Sequence, residues 1–343
     1  MKLPSLPKSR LPLGRLLLLA VVALVAGGGA CGGGSGSANN PVVPNAPLFD
    51  STRAFTDLEA QVAFGPRLPG SPGHAAQLAW MKTTLEPLAD QVIEQPFSLS
   101  TPFGGPFQFT NLVAVFGSAA PGPATAVGAH WDTRPQADED PDPANRTKPV
   151  PGANDGASGV AILLELARAL KAQAPPHPVY LMFLDAEDSG KSGAQLIDMG
   201  FCLGSAYLAQ NWPSAIARPS RVAILDLVGG VAKHNPRVPV RTDIGGDDYF
   251  DVEIEPYSLS YAPQTVDQIW AMAAARGHSS FRRSTQGMLI DDHLPFNRAG
   301  MPAVDLVDFP PPVWHTVDDV PEYCAPSALY EVGDTIEHWL YVP

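Results

Sequence analysis

The segment at residues 178–190, with the sequence PVYLMFLDAEDSG, constrains the fold of this chain more than any other. Its apolar run, residues 179–184, lies between Pro and Gly, which is typical of a strand covered on both faces of a sheet. Three acidic residues follow the run: Asp185, Glu187 and Asp188. Carboxylates at the C-terminal end of such a strand lie in the crevice where open α/β sheets bind ligands. A simple acidic turn between a strand and a helix would have the same sequence pattern. This segment alone therefore does not establish a ligand site, and other segments of the chain are needed as evidence.

Predicted strands and helices alternate along most of the chain. Apolar spacing predicts strands at residues 92–97, 107–116, 124–130, 179–184, 221–228 and 301–307, and helices at 55–64, 75–88, 160–174, 205–209, 265–276 and 327–340. This alternation predicts an α/β fold with three layers, α/β/α, around a mostly parallel mixed sheet. We expect residues 49–343 to form a single domain, with the Pro-, Gly- and Asp-rich segment 229–260 as a surface insertion.

The charge balance argues against one class of partner. The 343 residues include 35 acidic and 22 basic side chains, which gives a formal net charge of −13. A protein that binds nucleic acid needs a basic footprint. We therefore expect no nucleic acid partner.

The first 30 residues have the composition of an export signal. Four basic residues precede an apolar run at 16–26, and small residues follow it. The basic residues are Lys2, Lys8, Arg10 and Arg15. A helix that spans a membrane needs about 20 apolar residues, so we predict a cleaved signal peptide at residues 1–30. Its removal deletes four bases and no acids, which takes the net charge from −13 to −17.

Cys31 follows the small residues and precedes the segment GGGSGS. This arrangement resembles a bacterial lipoprotein, although Gly28 stands where such signals usually carry Leu. Residues 31–48 have the composition of a flexible linker. We expect an exported protein, periplasmic or held at the outer membrane through a lipid on Cys31, with no other membrane contact. Cleavage near Ala30 would instead leave a soluble periplasmic or secreted protein.

Two further cysteines leave two possibilities open. An oxidising compartment would allow Cys202 and Cys324 to form a disulfide. Two separately buried thiols are an equal alternative.

Acidic and histidine residues stand at the ends of three predicted strands. Residues 124–130 end in His130, the segment at 179–184 leads into the acids named above, and Asp226 lies near the end of the strand at 221–228. Between them, glycines on both sides of Asp155 permit tight or positive-φ backbone beside that carboxylate. Late in the chain come Asp291-Asp292-His293 and Trp314-His315.

Histidines and carboxylates at one sheet edge are the ligand types that a catalytic zinc takes. Each residue alone has a simpler explanation, since a single His is usually structural and Asp155 could be a helix N-cap. Six separate groups in this order are much harder to explain by chance. The combination therefore predicts a zinc site.

The order of the groups HWD, GANDGASG, FLDAED, LDLVGG, DDHLPF and VWHT resembles the superfamily that unites zinc-dependent aminopeptidases with animal-type glutaminyl cyclases. The resemblance extends from about residue 64 to the C-terminus. It implies a zinc-aminopeptidase-like fold and a substrate that is the N-terminus of a peptide or protein.

The resemblance also implies a set of metal ligands. In the aminopeptidases, the residue matching Asp155 bridges two zinc ions, with those matching His130 and Asp226 on one ion and those matching Asp188 and His315 on the other. In the cyclases, residues matching Asp155, Asp188 and His315 hold one zinc.

Asp188 stands where the superfamily more often has Glu. We expect its shorter side chain to ligate after some backbone adjustment. Glu187 matches the general base of both branches, and Asp185 is expected to be structural.

Two features favour the cyclase branch. Asp291 resembles the first acid of a cyclase Asp-Asp-His group and is expected to pair with Asp226, whereas aminopeptidases commonly have Ser there. Trp314 resembles a cyclase pocket wall, which would be narrow and largely apolar. Cyclases also carry a second pocket tryptophan shortly after the acid pair, for which Trp212 is the candidate here.

These comparisons predict Glu187, Asp226 and Asp291 as catalytic residues. They predict Trp314, Asp292 and His293 as substrate-binding residues. The resemblance thus implies a monomeric zinc-dependent acyltransferase, with one zinc per chain, that converts N-terminal glutamine into pyroglutamate and ammonia. The alternatives are a two-zinc aminopeptidase and a non-enzymatic surface-binding lipoprotein.

Overall fold

A six-stranded sheet lies at the centre of the fold in a computed structural model, which describes residues 46–191, 200–230 and 249–342. The strands are β1 (Gln91–Thr101), β2 (Gly104–Phe116), β3 (Thr125–His130), β4 (Val179–Leu184), β5 (Arg221–Asp226), β6 (Val252–Ile254), β7 (Phe281–Thr285) and β8 (Ala303–Val307). The central order is β1-β2-β4-β3-β5-β8, and β6 pairs with β7 in a small second sheet. β4, β3, β5 and β8 run parallel, while β2 is antiparallel to both of its neighbours. The predicted mixed, mostly parallel sheet is confirmed.

Helices cover both faces of this sheet. They are α1 (Ser51–Ala63), α2 (Pro72–Leu85), α3 (Ala157–Ala172), α4 (Leu203–Gln210), α5 (Pro256–Tyr261), α6 (Pro263–Arg276), α7 (His293–Arg298) and α8 (Pro326–Leu340). Helices α1, α3, α6 and α8 supply the apolar core on one face, and α4 and α7 supply the core on the other. The three-layer α/β/α arrangement is therefore confirmed.

Strand β4 corresponds to the uninterrupted apolar run at residues 179–184. Val179, Leu181 and Phe183 point into the core beneath α3, while the residues between them point into the core beneath α4 and α7. All six residues of the strand are buried. Because both faces of a central parallel strand are covered by helices, the strand has no polar face.

The start of α2 differs from the sequence prediction. The helix begins at Pro72, three residues before the predicted start at residue 75. Pro is compatible with the first turn of a helix because the amide that it lacks has no partner there. Ser71 caps the helix, since its hydroxyl accepts a hydrogen bond from the amide of His74 at 3.2 Å.

The predicted surface insertion at 229–260 is wrong in its last part. Residues 231–248 lie outside the described residues, but Val252 is fully buried in β6, and Glu255 and Ser258 are fully buried at the start of α5. Glu255 caps α5 by accepting from the amides of Tyr257 and Ser258 at 2.9 and 2.6 Å. This segment therefore belongs to the packed core beside β8.

The predicted signal peptide at 1–30 and the linker up to residue 45 lie outside the described residues. Among the helices that the structure describes, none has the length and apolar character needed to span a bilayer. Cys202 and Cys324 are both buried free thiols, which agrees with the second of the two possibilities given above.

Candidate active site

The site is built at the C-terminal ends of three parallel strands. β3 ends in His130, and β5 ends in Asp226. The turn after β4 carries Glu187 and Asp188. Because β3 lies between β4 and β5, the chain crosses from one side of β3 to the other here. Open α/β sheets bind ligands at such switch points. The side chains at the ends of β3, β4 and β5 lie at this switch point.

Asp155 reaches the same edge from the loop before α3. Gly156, at φ 93°, is the N-cap position and makes no side-chain cap, so the N-cap explanation for Asp155 is wrong. A Cβ at position 156 would lie 2.8 Å from the carbonyl oxygen of Asp132, which explains the glycine. Asp319 fixes the loop by accepting from the amides of Asn154 and Asp155 at 2.7 and 3.1 Å.

Asp155, Asp188 and His315 form one group of donors that fits a metal ion. One donor atom from each lies within 4.8 Å of the others, and all three residues are buried. Nε2 of His315 is 3.8 Å from Oδ2 of Asp155 and 3.7 Å from Oδ1 of Asp188. Among the described residues, buried Oδ2 of Asp188 has no hydrogen-bond partner, which is costly unless a proton or cation satisfies it. One imidazole and two carboxylates are a donor set typical of zinc.

His130, Asp155 and Asp226 form a second donor group of the same kind. Nε2 of His130 is 3.1 Å from Oδ1 of Asp155 and 3.1 Å from Oδ1 of Asp226. Burial opposes protonation of His130, but the surrounding carboxylates of Asp132, Asp155 and Asp226 outweigh it and raise its pKa well above the ordinary value. The chain therefore keeps the side chains of a dinuclear site, and Nε2 of His130 lies within hydrogen-bonding distance of both carboxylates.

The acids of the site have strongly shifted pKa values. Burial, followed by repulsion from Asp188, raises the pKa of Glu187 well above its usual value. Burial also raises the pKa of Asp188 to about 7 and that of Asp226 to about 7. For Asp155 burial acts in the same direction, but the hydrogen bond from His130 and the charges of His130, His315 and Arg134 together outweigh it and lower the pKa. So many buried acids favour a bound cation, whose charge would stabilise the carboxylates.

Backbone strain is concentrated at this site. In the described part of the chain, four residues other than glycine have positive φ: Ala186 (60°), Cys202 (55°), Leu227 (51°) and His315 (53°). Three of the four line the cavity described below, and the fourth directly precedes Glu187. Such conformations cost about 1–3 kcal/mol each and cluster at functional sites.

Two acids beneath the site set the turn after β4. Asp132 accepts from the amides of Glu187 and Asp188 at 2.9 and 3.2 Å, a role that the sequence did not reveal. Asp185 lies 3.0 Å from Nε2 of His74 and accepts from the amide of Thr110 at 2.7 Å. The predicted structural role of Asp185 agrees with these contacts.

A cavity of about 690 Å³ opens above these groups. Glu187, Asp226 and Asp291 line it together with apolar side chains that include Phe201 and Trp314. Trp314 lines this cavity, as the sequence predicted.

Trp314 is fixed by its two aromatic neighbours. It stacks on His315 with a centroid distance of 3.9 Å and meets Phe309 edge-on at 4.8 Å. Trp212 packs on Tyr180 and is not part of the cavity lining, so its expected role as a second pocket tryptophan is wrong.

Asp291 lies beside Glu187, and donor atoms of these two residues and of Cys202 lie within 4.8 Å of one another. Donor atoms of Asp291, His293 and Asp305 also lie within 4.8 Å of one another, and Asp305 is fully buried on β8. Two carboxylates this close together are stabilised when they share a proton. Burial, and then repulsion from Asp291, raise the pKa of Asp305 well above its usual value. Asp226 lies 3.1 Å from Nε2 of His130, and its expected pairing with Asp291 stays a prediction.

Asp292 and His293 were predicted to contact substrate, and the structure places both behind the cavity wall. Neither lines the cavity. Asp292 accepts from the Ser205 hydroxyl. His293 lies between Glu255 (Nε2 to Oε2, 3.2 Å) and Asp305 (Nδ1 to Oδ2, 3.4 Å). The turn into α7 directs these side chains toward the sheet, so the substrate-binding prediction is corrected to a supporting position.

Sequence reasoning also missed three residues at the site. Cys202 lines the cavity, with its Sγ 3.5 Å from Oε1 of Glu187. Asp138, the first residue of the acidic run at 138–142, pairs with Arg134 and lies 3.4 Å from His315. An Arg four residues before an Asp was the available signal for this pair, but the burial of Arg134 depends on the tertiary fold.

Known proteins resemble the chain over the region that carries this site. A family model described as peptidase family M28 matches residues 111–340. A glutaminyl-peptide cyclotransferase-like protein of Mus musculus is 28% identical over 289 residues, which cover 78% of this chain and 69% of that protein.

Solved structures are similar over most of both chains. A glutaminyl cyclase of Bacteroides thetaiotaomicron, bound to N-acetylhistamine, is 32% identical with a TM-score of 0.78, covering 87% of this chain and 100% of that one. A leucine aminopeptidase precursor from the same species is 32% identical with a TM-score of 0.79, covering 87% and 99%. Proteins named for both branches of the superfamily thus share this fold.

Proposed function

The chain belongs to peptidase family M28, and on that premise we propose that it is a zinc-dependent glutaminyl-peptide cyclotransferase. It converts an N-terminal glutamine of a peptide or protein into pyroglutamate and releases ammonia. Relatives named as glutaminyl cyclases in both sequence and structure support this activity.

One observation carries the choice of branch. Asp291 lies beside Glu187 at the cavity edge and close to the buried carboxylate of Asp305. A cyclisation needs two groups that act on one amine: one to position it and one to accept its proton. A hydrolase needs a group that activates water, for which Glu187 alone would suffice.

Asp155, Asp188 and His315 are the residues that would hold the zinc ion. When bound, the ion supplies Lewis-acid polarisation of the γ-carboxamide carbonyl of the substrate. We propose one ion per chain, with His130 as the cation that links Asp155 and Asp226.

The side chains of the cavity carry the proton and hold the substrate. Glu187 takes a proton from the α-amine as its nitrogen bonds to the carboxamide carbon of the glutamine side chain, and gives that proton to the departing amide nitrogen, which leaves as ammonia. Asp291 accepts a hydrogen bond from the α-amine and holds it close to that carbon. Trp314 packs against the glutamine side chain and excludes water. Because burial favours the protonated form of Glu187, its proton is readily kept between the two transfers.

A two-zinc aminopeptidase is the second candidate, and a specific observation favours it. The His130, Asp155 and Asp226 donors lie within 4.8 Å of one another, as a second ion would require. Glu187 would then deprotonate a water. A non-enzymatic binding protein is not supported, because both donor groups and Glu187 are intact.

Two substrates offered side by side test the proposal. Purified zinc-loaded protein is given a peptide with N-terminal glutamine, with ammonia as the readout, and a leucine anilide, with aniline as the readout. We expect ammonia release without anilide cleavage, and loss of ammonia release in Glu187→Gln. Fast anilide hydrolysis would overturn the cyclase assignment, and zinc content near two per chain would support the aminopeptidase.

We also propose that the protein is exported and carries a lipid on Cys31. The basic, apolar and small-residue pattern of residues 1–30 supports this proposal. Membrane association that is lost in Cys31→Ala would support it, whereas soluble wild-type protein would favour simple secretion. The mass of the purified catalytic region from light scattering tests the proposed monomer.

A further inference from the structure

We propose that Arg134 and Asp138 are positioning residues that hold Asp188 and His315 in place before a metal ion binds. The inference depends on the proposed metal site and not on the choice between cyclase and peptidase.

Arg134 is a buried cation that touches one of the metal ligands. Its side chain is 1% exposed, and its Nη1 donates to Oδ1 of Asp188 at 2.7 Å. This bond occupies one oxygen of Asp188, whereas Oδ2 has no hydrogen-bond partner in the described part of the chain. Arg134 therefore fixes the rotation of the carboxylate, with Oδ1 held 3.7 Å from Nε2 of His315. The guanidinium also lies over the ring of Phe201 at 5.3 Å, which further limits its movement.

Asp138 connects this arginine to a second metal ligand. It accepts from Nε and Nη2 of Arg134, both at 2.6 Å, in a two-bond planar contact. The same carboxylate lies 3.4 Å from Nδ1 of His315. A carboxylate on one ring nitrogen fixes which nitrogen carries the proton, so Nε2 of His315 is left to bind a metal ion.

The four side chains form a closed network around the donor group. Asp188 follows β4 and His315 lies in the loop after β8, so no local structure holds the two ligands together. Arg134 and Asp138, which are four residues apart, bridge them: Arg134 donates to Asp188, and Asp138 lies 3.4 Å from Nδ1 of His315.

Zinc affinity is the measurement that separates positioning from general stability. Competition with a chromophoric chelator gives the dissociation constant for zinc alone, with no substrate present. We expect Asp138→Asn and Arg134→Lys each to weaken zinc binding by about 10- to 100-fold, the usual effect of changing a partner of a metal ligand. Lys keeps the charge of Arg134 but cannot make the planar two-bond contact. Asp138→Glu should restore part of the lost affinity.

A matched control exists between helices α3 and α1. Arg168 makes a two-bond contact with Asp57 at 2.5 and 3.2 Å, and Arg168→Lys should leave zinc affinity unchanged. Thermal unfolding of the metal-free proteins reports stability separately. Zinc affinity that stays within twofold of wild type in folded Asp138→Asn would overturn the proposal, as would an equal loss in the control. If Arg134→Lys does not fold, Asp138→Asn decides alone.

Discussion

The sharpest consequence of the site geometry concerns Asp291. Replacement by Asn keeps the size of the side chain but removes its charge and its ability to share a proton with Asp305. A hydrogen bond to a charged group contributes about 1.5–3 kcal/mol. If Asp291 holds the substrate amine in the transition state, kcat/KM for cyclisation should fall by about 10- to 150-fold, since each 1.36 kcal/mol is a factor of ten.

The assay follows ammonia release from a glutamine peptide, with zinc content measured on the same samples. Asp291 belongs to neither donor group around Asp155, so zinc content should stay at the wild-type level. Asp291→Ser should lower the rate sharply as well.

Asp305→Asn is the matched control, because its amide can donate to Asp291 in place of the shared proton. We expect it to keep activity within about tenfold of wild type, the effect of a single ordinary hydrogen bond. Wild-type cyclisation by zinc-loaded Asp291→Asn would refute the role given to this residue.

Three further outcomes are expected. Glu187→Gln should lower kcat by about 10²- to 10⁴-fold, the usual contribution of a general base, with zinc content unchanged; a loss below tenfold would contradict its role. Trp314→Ala should raise KM for glutamine peptides more than it lowers kcat, because a wall is removed and the proton carrier is kept; steady-state kinetics measures the split, and unchanged KM would count against the pocket. Burial, then repulsion from Asp334 and Glu165, raise the pKa of Glu337 to about 8 from 4.5. The folded state therefore holds a proton that the unfolded state releases in this window, so stability falls as pH rises from about 4.5 to 8. Calorimetry should show that Glu337→Gln raises the melting temperature at pH 8 by a few degrees and less at pH 5; equal gains at both pH values would contradict this.

The parts of the fold that could be predicted are those with a local pattern. The run that became β4 is apolar without interruption because helices cover both of its faces. Its position in a parallel sheet then explains why Glu187, Asp188 and the strand-end residues His130 and Asp226 meet at one edge. The strand at 252–254 was missed because it has only three residues.

Other site residues depend on contacts between distant segments. Asp305 stands in the middle of a buried strand, and an acid at such a position was a signal present in the sequence. Its closeness to Asp291 could not be read from spacing, since Asp291 is reached only through the turn before α7. The pairing of Asp138 with Arg134 could not be read from the acidic run at 138–142, because the burial of Arg134 is a property of the tertiary fold.

The central claim is that this site cyclises an N-terminal glutamine through its own α-amine and does not cleave the peptide bond that follows it. Mass spectrometry of a single peptide with N-terminal glutamine, incubated with the zinc-loaded protein, tests that claim directly. The expected product is the intact peptide less one ammonia, formed by the wild type and not by Glu187→Gln. A product shortened by its first residue, with free glutamine in solution, would contradict the account.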